Sequence, residues 1–281
     1  MIREIRAKEI TEAVEKLCVK ANYYLNDDIM YTLKKGASSE ESDTGRLILE
    51  QLVENAETAA REQMAICQDT GMAVVFLELG QDVHIIGGSL AGAVNEGVRR
   101  GYEKGYLRKS VVRDPLERKN TGDNTPAVIH YDIVDGDGLK ITVAPKGFGS
   151  ENMSAVRMLK PSDGVGGVKS FIEETVEKAG PNPCPPVIVG VGIGGTMEKA
   201  AILAKKALLR PVDRRNADEK LRRLEEEMLE RVNRLGIGPA GLGGRMTAMA
   251  VNIETYPTHI AGLPVAVNMS CHVTRHAETV L

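Results

Sequence analysis

Residues 186–209, PVIVGVGIGGTMEKAAILAKKALL, constrain the fold more than any other stretch. An apolar β-branched run breaks at glycines and gives way to apolar residues at helical spacing, so the segment reads as strand, loop, helix. The same change of period recurs along the chain. AVVFLEL (73–79) and VHIIG (83–87) read as strands, and GSLAGAVNEGVRRGYEKG reads as a loop entering a helix. AVIHYDIV and LKITVAP, joined by Asp-Gly-Asp-Gly, read as a hairpin. TAMAVNIETY and LPVAVNMS are two further strands.

Helices are expected over about 4–25, where Ile5, Ile10, Ala13, Val14, Leu17 and Ala21 share a face, over Asp43–Glu62 behind Ser42 or Thr44 as cap, and over 168–179. The charged stretch NADEKLRRLEEEMLERVNRLG is a further helix, with Asn216 as cap, Glu219 three residues on and Gly236 as terminator. Strands and helices mix without strict alternation, and no linker or repeat interrupts them. The expected fold is therefore α/β (mixed α+β), a single globular unit over 1–281 with mixed sheets flanked by helices.

Composition excludes several roles. A net charge of −3 gives no general electrostatic reason to expect nucleic acid or an anionic membrane as partner. No apolar run is long enough to span a bilayer, and the charged N-terminus lacks a secretory signal's apolar block, so the expected location is cytoplasmic. Four cysteines are too few for a disulfide scaffold.

Those cysteines are the chemically interesting residues. Cys18 lies beside the apolar stripe of the first helix and reads as a small buried hydrophobe. Cys67 (AICQDTG), Cys184 (NPCPPV) and Cys271 (NMSCH) instead lie at strand or turn edges among Gly, Pro and polar residues. Pro183 and Pro185 restrict the backbone at Cys184 and push it towards extended geometry. No C-x-x-C is present, so compact zinc and ferredoxin spacings are absent. Gly190, Gly192 and Gly195 spell G-x-G-x-x-G in the right strand-to-helix context. The acidic residue at a suitable distance, Asp213, however lies in a polar helix start instead of at a strand end. The glycines therefore fit a carboxylate or phosphate at a helix start, or simply tight strand–helix packing.

Taken together, ICQDTG, RKNTGDNTPA, GSENMSA, PNPCPP, GVGIGGTMEKA, GLGGRMTAMAV and THIAGLPVAVNMSCH resemble the α-subunit of class I fumarate hydratases, a pattern shared with the L(+)-tartrate dehydratase α-subunit. The resemblance runs from about residue 40 to the end. It implies a hydro-lyase that interconverts fumarate and L-malate on a [4Fe–4S] cluster held by Cys67, Cys184 and Cys271. It further implies Asp69 and His259 as catalytic groups, and Gln68, Arg108 and Gly149 as contacts to a small dicarboxylate. Arg113 and Arg118 are sequence neighbours that compete with Arg108, and Arg245 is equally an anion contact or a structural arginine. Asp69 also suits a turn, and His259 alone would read as structural. Because single-chain relatives of this class continue into a second domain, the resemblance implies a separate β-subunit and an α2β2 assembly. Two readings from other classes stay open at this point: a nucleotide-binding module built on residues 190–195, and a zinc site combining the three cysteines with His259 or His272.

Overall fold

The computed structural model describes residues 2–281. In chain order the elements begin with β1 (Arg3–Arg6), α1 (Ala7–Tyr23), α2 (Asp27–Ser39) and α3 (Asp43–Glu62). They continue with β2 (Met72–Gly80), β3 (Val83–Ile86), α4 (Leu90–Lys104), β4 (Val128–Val134) and β5 (Leu139–Lys146). A short α5 (Phe148–Glu151) precedes β6 (Ala155–Leu159), α6 (Gly164–Ala179), β7 (Val187–Gly194) and α7 (Met197–Ala207). The last elements are α8 (Glu219–Arg234), β8 (Ala248–Tyr256), β9 (Leu263–Ser270) and β10 (Ala277–Val280). The mixed α/β class expected from the sequence holds. Contacts divide the chain into two compact units.

The first unit takes the chain up to Leu25, Ala56–Phe148 and Arg275–Leu281. Its main sheet has the order β10-β5-β2-β4, with β2 antiparallel to β5 and parallel to β4. The expected 128–145 hairpin is thus corrected: both strands form, but β2 lies between them. Most of β2 is buried, as its nearly unbroken apolar sequence requires of an inner strand. The Asp-Gly-Asp-Gly turn is satisfied not by a partner strand of its own but by residues 80–82, whose N–H groups donate to the carbonyls of Gly138, Val134 and Gly136. The first helix starts at Ala7, later than the periodicity suggested, because Arg3–Arg6 pair in parallel with Val83–Ile86. Helix α1 packs on α4 along small residues: a Cβ on Gly101 would stand 2.7 Å from Cys18 Cβ. Cys18 is fully buried there, and burial pushes its thiol up to about 12.

The second unit takes Asn26–Asn55 and Gly149–Thr274 around a sheet of order β6-β9-β7-β8. Strand β7 alternates strictly. Val187, Val189 and Val191 join one core with α6 and α8, while Gly190 and Gly192 face α7. A Cβ on Gly190 or Gly192 would lie 2.1 or 2.0 Å from the carbonyl oxygen of Ala204 or Ala200. The fingerprint glycines therefore let strand and helix backbones touch, which is the packing reading of the motif. Helix α2, which the periodicity analysis passes over, buries Ile29, Leu33, Gly36 and Ala37. The cap of α8 is Asp218, whose carboxylate accepts from Lys220 and Leu221 N–H. Asn216, expected in that role, instead donates to the Ile253 carbonyl at 2.9 Å and to Glu225 at 3.2 Å. Among the described residues no helix is long and apolar enough to cross a membrane.

Candidate active site

In the first unit, Cys67, Gln68 and Asp69 occupy the turn between α3 and β2. Both Asp69 carboxylate oxygens accept backbone N–H groups, from Gly71 at 3.1 Å and from Phe148 at 2.9 Å. Gly147 permits this approach, since a Cβ there would stand 3.0 Å from Asp69 Oδ2. The Asp69 N–H in turn donates to Cys67 Sγ at 3.4 Å, an amide aimed at the sulfur. Arg275, buried and absent from the expected set, donates to the Asp69 carbonyl at 2.7 Å.

The Arg108 segment is bound to this turn. Thr70 Oγ1 donates to the Arg108 carbonyl at 3.0 Å. Asn124 is fully buried at φ +62°. Its Oδ1 accepts from Ser110 and Val111 N–H at 2.7 and 3.1 Å, and its Nδ2 donates to the Gly71 carbonyl at 3.1 Å. Tyr102, whose hydroxyl is pushed well above its ordinary range by burial, closes the ledge with a 2.7 Å bond to the Thr70 carbonyl. The Arg108 side chain is exposed and makes no ion pair among the described residues. Arg113 and Arg118 are exposed in the loop that follows, outside this hydrogen-bonded ledge. Thr70 lies in ICQDTG and Asn124 in RKNTGDNTPA, so the polar residues of those motifs were the available signal; Arg275 had none beyond its place near Cys271.

In the second unit the segments carrying Cys184 and Cys271 meet. The Cys184 carbonyl accepts from the His272 backbone N–H at 3.3 Å and lies 3.0 Å from His272 Nδ1, which must carry a proton to bond a carbonyl. Thr274 closes the second turn by donating to the Cys271 carbonyl through N–H and Oγ1 at 3.0 and 2.8 Å. Cys184 is exposed and Cys271 half-buried. The extended geometry expected for Cys184 is corrected: its φ is +56°, and its N–H donates back to the Pro181 carbonyl at 3.0 Å in a tight turn. His259 is exposed on the β8–β9 connection. Its Nδ1 accepts from Ala261 N–H at 3.2 Å, so the neutral ring carries its proton on Nε2. At Gly149 an added Cβ would meet nothing nearer than the Asn182 carbonyl at 3.8 Å, so packing does not require glycine there. The exposed Arg245 guanidinium pairs with Glu41.

The four cysteines are in no disulfide. Among the described residues no three His, Cys, Asp or Glu side chains converge as an ion cage. The donor chemistry nonetheless suits an iron–sulfur group: three thiols at turns, at least partly exposed, one with an amide directed at its sulfur and two on turns joined to each other.

The family described as Fumarate hydratase (Fumerase) matches residues 11–280, and the chain belongs to this family of hydro-lyases. A Methanocaldococcus jannaschii protein, named provisionally as L(+)-tartrate dehydratase subunit alpha, is 42% identical over 277 residues and 96% of each chain. The L(+)-tartrate dehydratase subunit alpha of Escherichia coli K12 is 34% identical over 270 residues, 95% of this chain and 89% of its own.

Proposed function

We propose that this chain is the cluster-bearing α-subunit of a two-component hydro-lyase that adds water to fumarate to give L-malate and removes it in reverse. The observation that carries the reading is the joining of the Cys184 and Cys271 turns through His272, because two thiols presented on mutually bonded turns are pre-oriented for one group. Cys67, Cys184 and Cys271 are the proposed ligands of a [4Fe–4S] cluster. When bound, an iron lacking a protein ligand supplies Lewis acidity towards the substrate oxygen at C2.

The chain's own residues supply the rest. Asp69 is held by two backbone N–H groups with lone pairs to spare, so it can move a proton at C3 without reorienting. His259, whose neutral ring carries its proton on Nε2, can donate a hydrogen bond from that nitrogen in the catalytic step. Arg108 offers a planar fork to one substrate carboxylate, with Gln68 as a polar neighbour and Gly149 as a place for close backbone approach. A β-subunit, supported by relatives named subunit alpha, would supply partners for the second carboxylate and exclude water. The proposed assembly is α2β2 in the cytoplasm.

A second reading is L(+)-tartrate as substrate, favoured by the names of those relatives. The test is anaerobic reconstitution of this chain, with and without its partner, assayed on fumarate and on L(+)-tartrate. Iron binding lost in Cys67→Ser, Cys184→Ser and Cys271→Ser, and turnover only with the partner, are the expected results. Full iron content in Cys184→Ser would remove the cluster assignment; equal activity without a partner would remove the two-component one.

A further inference from the structure

We propose that Glu40 is a positioning residue for Cys184, acting through the glycine-rich loop Gly238–Thr247. The inference rests on the proposed function only for the meaning given to Cys184 as a ligand. Glu40 follows α2 and is 5% exposed, an expensive place for a carboxylate unless its oxygens are bonded. They accept N–H groups from Ser42 at 3.1 Å, Arg245 at 2.9 Å and Met246 at 3.0 Å. Burial alone would raise this carboxyl, but the donors of Arg245, Ser42 and Met246 outweigh it and hold the group below the usual carboxylate range. Gly244, at φ +121°, brings the backbone so close that a Cβ would stand 3.0 Å from the carboxylate. Convergent amides around an anion make a nest, here closed on a side chain of the same unit.

The other end of the loop grips the cysteine turn on both sides. Ala240 N–H donates to the Pro185 carbonyl at 2.8 Å. Gly241, at φ +76°, lies so near that a Cβ would be 2.2 Å from Pro181 Cβ. Pro181 and Pro185 bracket Cys184, whose own positive φ persists only where the surroundings impose it. Between its two ends the loop runs through Gly238, Ala240, Gly241, Gly243 and Gly244, all at positive φ. Such a glycine-rich segment has wide freedom when released, so its shape depends on its anchors. Glu40 anchors Arg245 and Met246 at the end remote from the cysteine, beside Asn233, whose Oδ1 accepts the Thr247 N–H at 2.9 Å.

The experiment is residue-resolved amide hydrogen exchange on the full chain without cofactor, comparing the native protein with Glu40→Gln and Gly241→Ala. The Cys184 and Ala240 amides should exchange roughly tenfold faster in Glu40→Gln, the scale of losing one buried hydrogen-bond acceptor, and also faster in Gly241→Ala, whose added Cβ would press on Pro181. The amides of Val189 and Val191 in β7 and of Val75 in β2 should keep native rates. Native rates at Cys184 and Ala240 in Glu40→Gln overturn the proposal whatever Gly241→Ala does, because the clamp then ends at Arg245 and Met246. Acceleration throughout the second unit in both variants also overturns it, since the loop then supports the whole unit and not the turn. Iron content of Cys184→Ser reads the cluster assignment separately, so either idea can fail while the other stands.

Discussion

Replacing Gly192 by alanine tests whether the G-x-G-x-x-G run serves packing or a ligand. Gly192 points from β7 at α7, and an added Cβ would stand 2.0 Å from the Ala200 carbonyl oxygen, 2.6 Å from the Ala204 nitrogen and 2.8 Å from Leu203 Cβ. Two of those atoms are backbone, so no rotamer change relieves the clash; the helix must retreat or the strand must buckle. Overpacking costs about 1–3 kcal/mol, and a backbone displacement belongs near the top, about 3 kcal/mol. With about 2–4 °C per kcal/mol for a chain of this size, Tm should fall by about 6–12 °C. Gly166→Ala is the internal control. It lies exposed in α6, and an added Cβ there meets nothing within 4 Å. The same substitution should there gain about 0.5–1 kcal/mol and raise Tm by a few degrees. Thermal and urea unfolding followed by far-UV circular dichroism measure both. A Gly192→Ala protein within about a degree of native would refute the packing argument and return the glycine loop to consideration as a ligand site.

Other outcomes follow from the same geometry. Cys18→Ser should keep native iron content yet lose about 1–3 kcal/mol on urea unfolding, because a hydroxyl replaces a thiol at a fully buried position in the α1–α4 seam. Cys18 should also resist iodoacetamide at pH 8 in the folded chain, its thiol being raised to about 12, whereas exposed Cys184 should react. Glu96 is lowered to about 2 by its bonds to Arg99 and then Arg100. A carboxyl lowered on folding stabilises above its unfolded value and loses that contribution as pH falls towards 2, so the small Tm gap between native protein and Glu96→Gln should shrink from pH 7 to pH 3 and with added salt. Arg108→Lys in the reconstituted enzyme should raise KM more than it lowers kcat, since a point charge replaces a bidentate fork; unchanged KM would discharge Arg108 from the substrate site.

Elements defined by their own periodicity were legible in the chain alone. Helix α3 appears over Asp43–Glu62 as its apolar spacing predicts, with Ser42 Oγ accepting Gly45 N–H, and β2, β7, β8 and β9 fall where the apolar runs place them. The resemblance identified the family, because its motifs are short, local and numerous. The burial of Cys18 was also readable, since it alone of the four cysteines sits on a helical stripe.

What depends on contacts distant in sequence was not legible. Strands β4 and β5 look like a hairpin because their turn chemistry is local, yet the insertion of β2 between them is a choice of partners that buries a nearly unbroken apolar strand. Asn216 and Asp218 are both competent caps, and the choice falls to Asp218 because Asn216 finds the carbonyl of Ile253, far along the chain, as well as Glu225. The short edge strands β6 and β10 carry little pattern of their own and exist because β9 and β5 offer them open hydrogen-bonding edges. Proline restricts the Cys184 backbone, as the sequence implies, but its left-handed φ is set by carbonyl bonds to His272 and by the Glu40-anchored loop about 55 residues on. Residue types and spacing determine which groups can do chemistry. Their orientation is decided by hydrogen bonds that close only when distant segments pack, since a lone turn cannot hold an unfavourable backbone angle against its own entropy.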